Sequence, residues 1–257
     1  MLAYTTYGSD TSAPWITFIH GAGGSSAIWY KQLRYFAPKY QILLIDLRGH
    51  GASAKQPVSE KPYTFVDITA DIIEVLDHLK IQKSHFVGIS LGSILIFKLA
   101  QLRPDLCDKL VLGGAILQLN FRAQVLMNLG KFLKNVVPYL WLYIFFAWII
   151  MPKKNHAPSR RLFIREAKRL REGEFIRWYK LTLNVNAELR LLRETQLQAQ
   201  ALFISGSEDF MFLPSVRATV QQQKSSKLVV IPNCGHVVNV EQSDIFNQLV
   251  ESFLKEE

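Results

Sequence analysis

The sequence predicts an α/β fold: a mostly parallel central sheet with helices on both faces, interrupted by one inserted helical segment. Three observations predict it. Short runs that are apolar from end to end recur along the chain. Amphipathic helical patterns separate them, and a strand is apolar on both sides only where both faces of its sheet are covered. The third observation is His85-Phe86-Val87-Gly88-Ile89-Ser90-Leu91-Gly92-Ser93, where an apolar run turns through Gly-x-Ser-x-Gly into the helical pattern Ile94, Leu95, Phe97, Leu99.

Taken in order, residues 2–7 read as a short edge strand closed by Gly8-Ser9-Asp10. Trp15 to Ile19 is a compact β-branched and aromatic run, hence a buried strand. It empties into the glycine-rich loop His20-Gly21-Ala22-Gly23-Gly24, and a helical pattern follows through Trp29, Leu33 and Phe36. Gln41 to Ile45 is the next strand and leads into Asp46-Leu47-Arg48-Gly49-His50-Gly51-Ala52-Ser53. After a polar loop with Pro57 and Pro62, apolar positions from Val66 to Leu79 recur at helical spacing. Strands at His85–Ile89 and Lys109–Gly113 flank a helix that ends before Pro104. Alternation then stops: residues 118–185 carry helix patterns and no convincing strand. It resumes with a strand at Ala201–Ser205, a helix near 214–222, a strand at Lys227–Ile231 and a helix from Gln242 to Leu254. Residues 1–117 and 186–257 thus form one core, with 118–185 inserted.

Composition bounds the function classes. With 257 residues, 49% hydrophobic and 20% charged, the chain supports one large core and is not a disordered polymer. The formal charge of +9 is uneven, with basic residues crowded between Lys131 and Arg193, among them Lys134, Lys153, Lys154, Arg160, Arg161, Arg165 and Lys168. No nucleic-acid motif or aromatic–basic alternation accompanies them. A solvated basic face is the first reading, contact with a negatively charged surface such as a membrane the second, and nucleic acid is not an expected partner. Cys107 and Cys234 are too few for a disulfide framework. The first residues show neither a basic nor an apolar signal region, so the expected location is cytoplasmic.

Gly-x-Ser-x-Gly between a strand and a helix has a physical logic. The serine must sit on a sharp, strained turn, and small neighbours at −2 and +2 let strand and helix approach. The following helix aims its first amides at negative charge developing beside the serine. A serine hydroxyl needs a base, and the base needs an orienting group. Two later strands end in Gly206-Ser207-Glu208-Asp209 and Pro232-Asn233-Cys234-Gly235-His236, which places an acid and a histidine at the carboxyl edge of the sheet. Glu208 and Asp209 both qualify as the acid. No Cys/His set has zinc-ligand spacing and no dinucleotide or P-loop fingerprint is present, so no metal or cofactor is expected.

With His20-Gly21, Asp46-x-Arg-Gly-x-Gly-x-Ser53, the Ser90 turn and Gly235-His236 in that order, the chain resembles the α/β-hydrolase fold family over essentially its whole length. The resemblance implies a catalytic triad of Ser90, Asp209 and His236, with family spacing favouring Asp209 over Glu208. It implies an oxyanion hole made by the backbone N–H groups of Leu91 and Ala22, with Gly23 as a substitute for Ala22. It also implies a helical cap over residues 118–185, and a structural role for Asp46, Arg48 and His50. Where many relatives carry two glycines after the elbow, this chain has Gly92-Ser93. Serine rather than aspartate at the elbow argues against dehalogenase or epoxide hydrolase chemistry.

From Val136 to Met151 the insertion is wholly uncharged; the run is shorter than the ~20 residues of a membrane span, contains Pro138 and ends at Pro152. Two readings remain. The run roofs an acyl pocket, with Tyr139, Trp141, Phe145 and Trp148 as substrate-pocket candidates, or its amphipathic aromatics and flanking lysines make an interfacial anchor. Both imply a hydrophobic small-molecule ester as substrate, cleaved through an acyl-enzyme. The same constellation serves a thioesterase, lactonase, C–C bond hydrolase or cofactor-free haloperoxidase, and a non-enzymatic receptor retaining the triad is the alternative outside enzymology.

Overall fold

Each apolar run has two backbone edges to satisfy and two faces to cover, and edge-to-edge pairing under flanking helices does both. In the computed structural model, which describes residues 1–56, 62–133, 136–183 and 185–256 (the side chains of Arg122 and Lys131 excepted), the described strands form a single sheet. Pro57 and Lys134 lie outside the described residues, as does the Lys131 side chain. The strands are β1 (Ala3–Tyr7), β2 (Trp15–Ile19), β3 (Gln41–Asp46), β4 (Ser84–Ile89), β5 (Cys107–Gly113), β6 (Gln200–Gly206) and β7 (Ser226–Ile231). Their order is β1-β3-β2-β4-β5-β6-β7, with β1 antiparallel and every other pair parallel. β5 starts two residues ahead of the predicted Lys109, because Cys107 pairs with Ser84 across a register shift.

The helices are α1 (Tyr30–Phe36), α2 (Phe65–His78), α3 (Leu91–Leu102), α4 (Phe121–Leu133), α5 (Tyr139–Ile150), α6 (Ala157–Ala167), α7 (Glu172–Leu183), α8 (Val185–Glu194), α9 (Leu213–Val220), α10 (Val238–Glu241) and α11 (Ser243–Lys255). Alternation along each strand sorts the core into two layers. Leu43, Ile45, Phe86, Leu110 and Phe203 face α2, α3, α8 and α9. Ile16, Phe18, Ile42, Val87 and Ile204 face Trp29 beside α1, and α11. Helix α3 is buried from Leu91 to Leu99, which leaves Lys98 inside, where its amine meets Glu188 of α8 at 2.5 Å.

Strand order reverses between β2 and β4, and the crevice at their carboxyl ends is where an open parallel sheet accepts a ligand. Helices α4 to α7 follow β5 and build a third cluster around Leu142, Tyr143, Leu170, Phe175 and Tyr179. Among the described residues no helix is long and apolar enough to cross a membrane.

Candidate active site

Ser90 links β4 to α3 with φ 56° and ψ −118°, a backbone state that costs a non-glycine residue about 1–3 kcal/mol. Its surroundings hold it there. The Ser90 amide donates to the Gly113 carbonyl (3.0 Å), and the Ser93 hydroxyl donates to the Ser90 carbonyl (2.5 Å). The serine that replaces a second glycine thus braces the turn. Gly88 and Gly92 are small by necessity: a Cβ on Gly88 would lie 2.9 Å from the backbone carbonyl of Gly92, and one on Gly92 would enter the Ile19 carbonyl.

The loops after β6 and β7 carry Asp209 and His236 and are stitched together by backbone hydrogen bonds. The Ser207 amide donates to the Ile231 carbonyl and the Glu208 amide to the Cys234 carbonyl, each at 2.8 Å. Gly206 must lack a Cβ, which would run into the carbonyls of Cys234 and Gly235. This places His236 Nδ1 at 2.8 Å from Asp209 Oδ2 and its Nε2 at 2.9 Å from Ser90 Oγ. Asp209 and His236 are buried. Burial pushes the imidazole pKa down, but the Asp209 charge and hydrogen bond, with Glu241 beyond, outweigh it and hold His236 above its ordinary value. Glu208, the other acid considered, turns away. Its carboxylate takes Asn155 (2.8 Å), Lys153 (2.7 Å) and His156 (2.8 Å), which lower its pKa to about 2.

Two neutral histidines shape the loop opposite Ser90. His20 Nε2 accepts the Leu47 amide (3.0 Å) while its Nδ1–H donates to the Gly21 carbonyl (2.8 Å). His50 Nε2 accepts the Gly23 amide (3.0 Å) while its Nδ1–H donates to the Arg48 carbonyl (2.9 Å). An amide only donates and a carbonyl only accepts, so these partners define the tautomers. Burial lowers both pKa values, that of His50 to about 3. The bond to His50 removes Gly23 from consideration as an anion donor. Ala22 is left: among the described residues its amide has no intramolecular acceptor. Leu91, first in α3, has an amide with no intrahelical partner. Asp46 holds the same loop by accepting the amides of Ser26 (2.7 Å) and Ala52 (2.8 Å), and Arg48 is paired with Asp71.

Ser90, His236, Ala22 and Leu91 open onto one cavity of about 230 Å³, walled by α4 to α7 and lined almost entirely by apolar side chains. Four sequence-predicted pocket residues require correction. Trp141, Phe145 and Trp148 do not line the cavity but point to solvent, and the Tyr139 hydroxyl donates to the Leu170 carbonyl (2.8 Å) inside the helical cluster. The cavity face of α5 is Tyr143, Phe146 and Ile150. Helix α5 is apolar all round, so sequence offers no polar stripe from which to read its phase. Glu166 was also missed. It lines the cavity with its carboxylate already bonded to Ser25 Oγ (2.8 Å) and Arg165 Nε (3.2 Å). Cys107 and Cys234 are buried, and burial pushes both thiols up, Cys107 to about 12.

The sequence profile of the α/β hydrolase fold matches residues 14–143. Across 99% of its length the chain is 26% identical to 3-oxoadipate enol-lactonase 2 of Acinetobacter baylyi, covering 93% of that protein. It is 28% identical, over 93% of its length and 89% of the other, to a Bacillus subtilis protein named putative 2-succinyl-6-hydroxy-2,4-cyclohexadiene-1-carboxylate synthase. Among solved structures, the enol-lactonase of Burkholderia xenovorans superposes with a TM-score of 0.82 at 22% identity, covering 99% of this chain and 96% of that one. An esterase of Thermogutta terrifontis superposes at 0.80 with 19% identity, covering 99% and 93%. At such identities the structural likeness speaks for the fold alone. With the profile spanning half the chain, the family is established. The chain belongs to the α/β-hydrolase fold family of enzymes.

Proposed function

We propose that the protein is a serine hydrolase that cleaves esters of neutral, hydrophobic acids through an acyl-enzyme. The observation that carries this reading is the unbroken chain Ser90 Oγ–His236–Asp209, at 2.9 and 2.8 Å, on the floor of an apolar cavity. Ser90 Oγ attacks the ester carbonyl as its proton passes to His236 Nε2, and Asp209 stabilises the imidazolium. The carbonyl oxygen becomes an anion between the amides of Ala22 and Leu91, each such donor contributing about 2.7–4 kcal/mol. The intermediate collapses, the C–O bond breaks, and His236 returns the proton to the departing alkoxide. Water then repeats the cycle on the acyl-enzyme: His236 takes its proton, hydroxide adds to the carbonyl, and Ser90 leaves reprotonated with the free acid.

The lining supports a neutral, hydrophobic substrate. Among the described residues no lysine or arginine faces the cavity, and its one carboxylate, Glu166, repels a second. A bare carboxylate on the substrate would therefore be buried without a partner, at a cost of several kcal/mol. Lactone hydrolysis is the second reading, favoured by the enol-lactonase relative. It uses the same groups, with the leaving alkoxide tethered to the acyl part.

Initial rates on a panel of p-nitrophenyl esters, neutral lactones and half-esters of dicarboxylic acids test the proposal. Medium-chain neutral esters are expected to exceed acetate and half-esters in kcat/KM. A preference for half-esters, or for acetate, would overturn the substrate assignment.

A further inference from the structure

Helix α5 has no charged side chain and none of the amides or hydroxyls, Tyr139 and Tyr143 apart, that a helix turns toward water. Its inner face covers the cavity through Tyr143 and Phe146, yet Trp141 is 66% exposed, Phe145 42% and Trp148 52%. These three recur at i, i+4 and i+7 and form one stripe. Helix α4, which packs beside α5, repeats the pattern with Phe121 (79% exposed), Val125 (48%) and Phe132 (77%), spaced i, i+4 and i+11. Two helices packed against each other thus each turn a row of large apolar side chains outward. Apolar side chains scattered singly over a surface are ordinary, but a contiguous patch marks a contact.

Charge identifies the partner. Residues 118–185 hold thirteen basic and three acidic side chains, so this segment carries +10 and the remainder of the chain −1. The neighbouring helix α6 exposes Arg161, Arg165 and Lys168 along one face, and Lys154 is exposed after α5. Among the described residues Lys154, Arg161 and Lys168 have no carboxylate within ion-pair distance. The indole of Trp148, half exposed, is pinned on one side by the Arg160 guanidinium, 3.6 Å from the ring centroid. At 12 residues α5 is about 18 Å long, against the ~30 Å of a hydrocarbon core. Short, apolar, rich in tryptophan and bordered by cations, such a surface fits the headgroup boundary and not the bilayer interior.

We infer that the outer face of α4 and α5 is a docking surface for an anionic phospholipid bilayer. Bound this way, the helices that wall the cavity lie in the lipid boundary, where hydrophobic esters concentrate. The surface is separate from Ser90, His236 and the cavity lining, so its occupancy is measured independently of turnover.

Cosedimentation of the full chain with vesicles of phosphatidylcholine alone, and of phosphatidylcholine mixed equally with phosphatidylglycerol, tests the inference. The wild-type chain is expected to pellet with the anionic vesicles, with a blue shift in tryptophan emission, and to be released by high salt. The variant W141S/F145S/W148S is expected to stay in the supernatant while its rate on soluble p-nitrophenyl butyrate is unchanged. A second variant, R161Q/K168Q, leaves the apolar stripe intact and is expected to weaken partitioning by about fivefold per cation removed. No pelleting with either vesicle overturns the inference. So does a dimer, formed without lipid and lost in W141S/F145S/W148S, which would assign the face to a second copy of the chain.

Discussion

The Tyr143 hydroxyl fills the space that a Cβ on Gly23 would occupy, with Cζ of the same ring 2.5 Å from that position. A helix inserted after β5 thus rests on the loop that carries the Ala22 amide, at the one residue with room for it. Gly23 also has φ +68°. Gly23→Ala is expected to destabilise the fold by at least 1–3 kcal/mol from backbone strain alone, with a contact penalty added. Combining it with Tyr143→Ala removes the contact and leaves the strain. A thermal-denaturation double-mutant cycle is expected to show favourable coupling between the two substitutions.

Asp209 and Glu208 are adjacent in sequence and separate in role. Asp209→Asn is expected to lower kcat by about four orders of magnitude, because the amide favours the wrong imidazole tautomer. Glu208→Gln keeps the His236 partner and is expected to retain activity within about tenfold, while weakening the bonds to Lys153, Asn155 and His156. Steady-state kinetics of the two variants checks this, and equal losses would contradict the assignment.

In the proposed mechanism His236 acts as a base only when neutral, and its pKa stands above the ordinary imidazole value of about 6.5. The acid limb of kcat/KM is therefore expected above that value, with rate rising as pH rises through it. In Asp209→Asn only the Glu241 charge still opposes burial, and the residual limb is expected at lower pH. The sign for stability is the reverse: the raised folded pKa contributes stability that is present below the unfolded pKa and lost as pH rises through the folded one. His20 and His50, lowered by burial, act oppositely: their contribution is present above the unfolded pKa and lost as pH falls from there through the folded one.

The faces of α5 give a prediction that separates the two aromatic sets. Phe146→Ala enlarges the cavity and is expected to move the preferred acyl chain to greater length. Trp141→Ala, which faces solvent, is expected to leave the chain-length profile unchanged. Rates on a p-nitrophenyl ester series compare them directly.

The sheet was legible because its inner parallel strands are covered on both faces, so β2, β3 and β4 appear as apolar runs whose predicted limits fall within a residue of the observed ones. The residues around Ser90 were legible for another reason: a strained turn, a close loop and two strand ends each demand particular residue types at fixed spacing. The roof was not legible in this way. A helix apolar on every side carries no phase, so Trp141 and Trp148 were indistinguishable from Tyr143 and Phe146. Nor does local sequence mark a contact made across the fold. The commitment of the Gly23 amide to His50, 27 residues away, became visible only in three dimensions.

The proposed reaction requires that His236 activate Ser90 and no other hydroxyl. Titration with an alkyl fluorophosphonate, followed by peptide mass mapping, tests it most directly. The expected result is a single phosphonyl adduct per chain on the peptide containing Ser90, loss of esterase activity in step with labelling, and no labelling of Ser90→Ala or, at comparable rate, of His236→Ala. Full activity after stoichiometric labelling, or an adduct mapped to another residue, would contradict it.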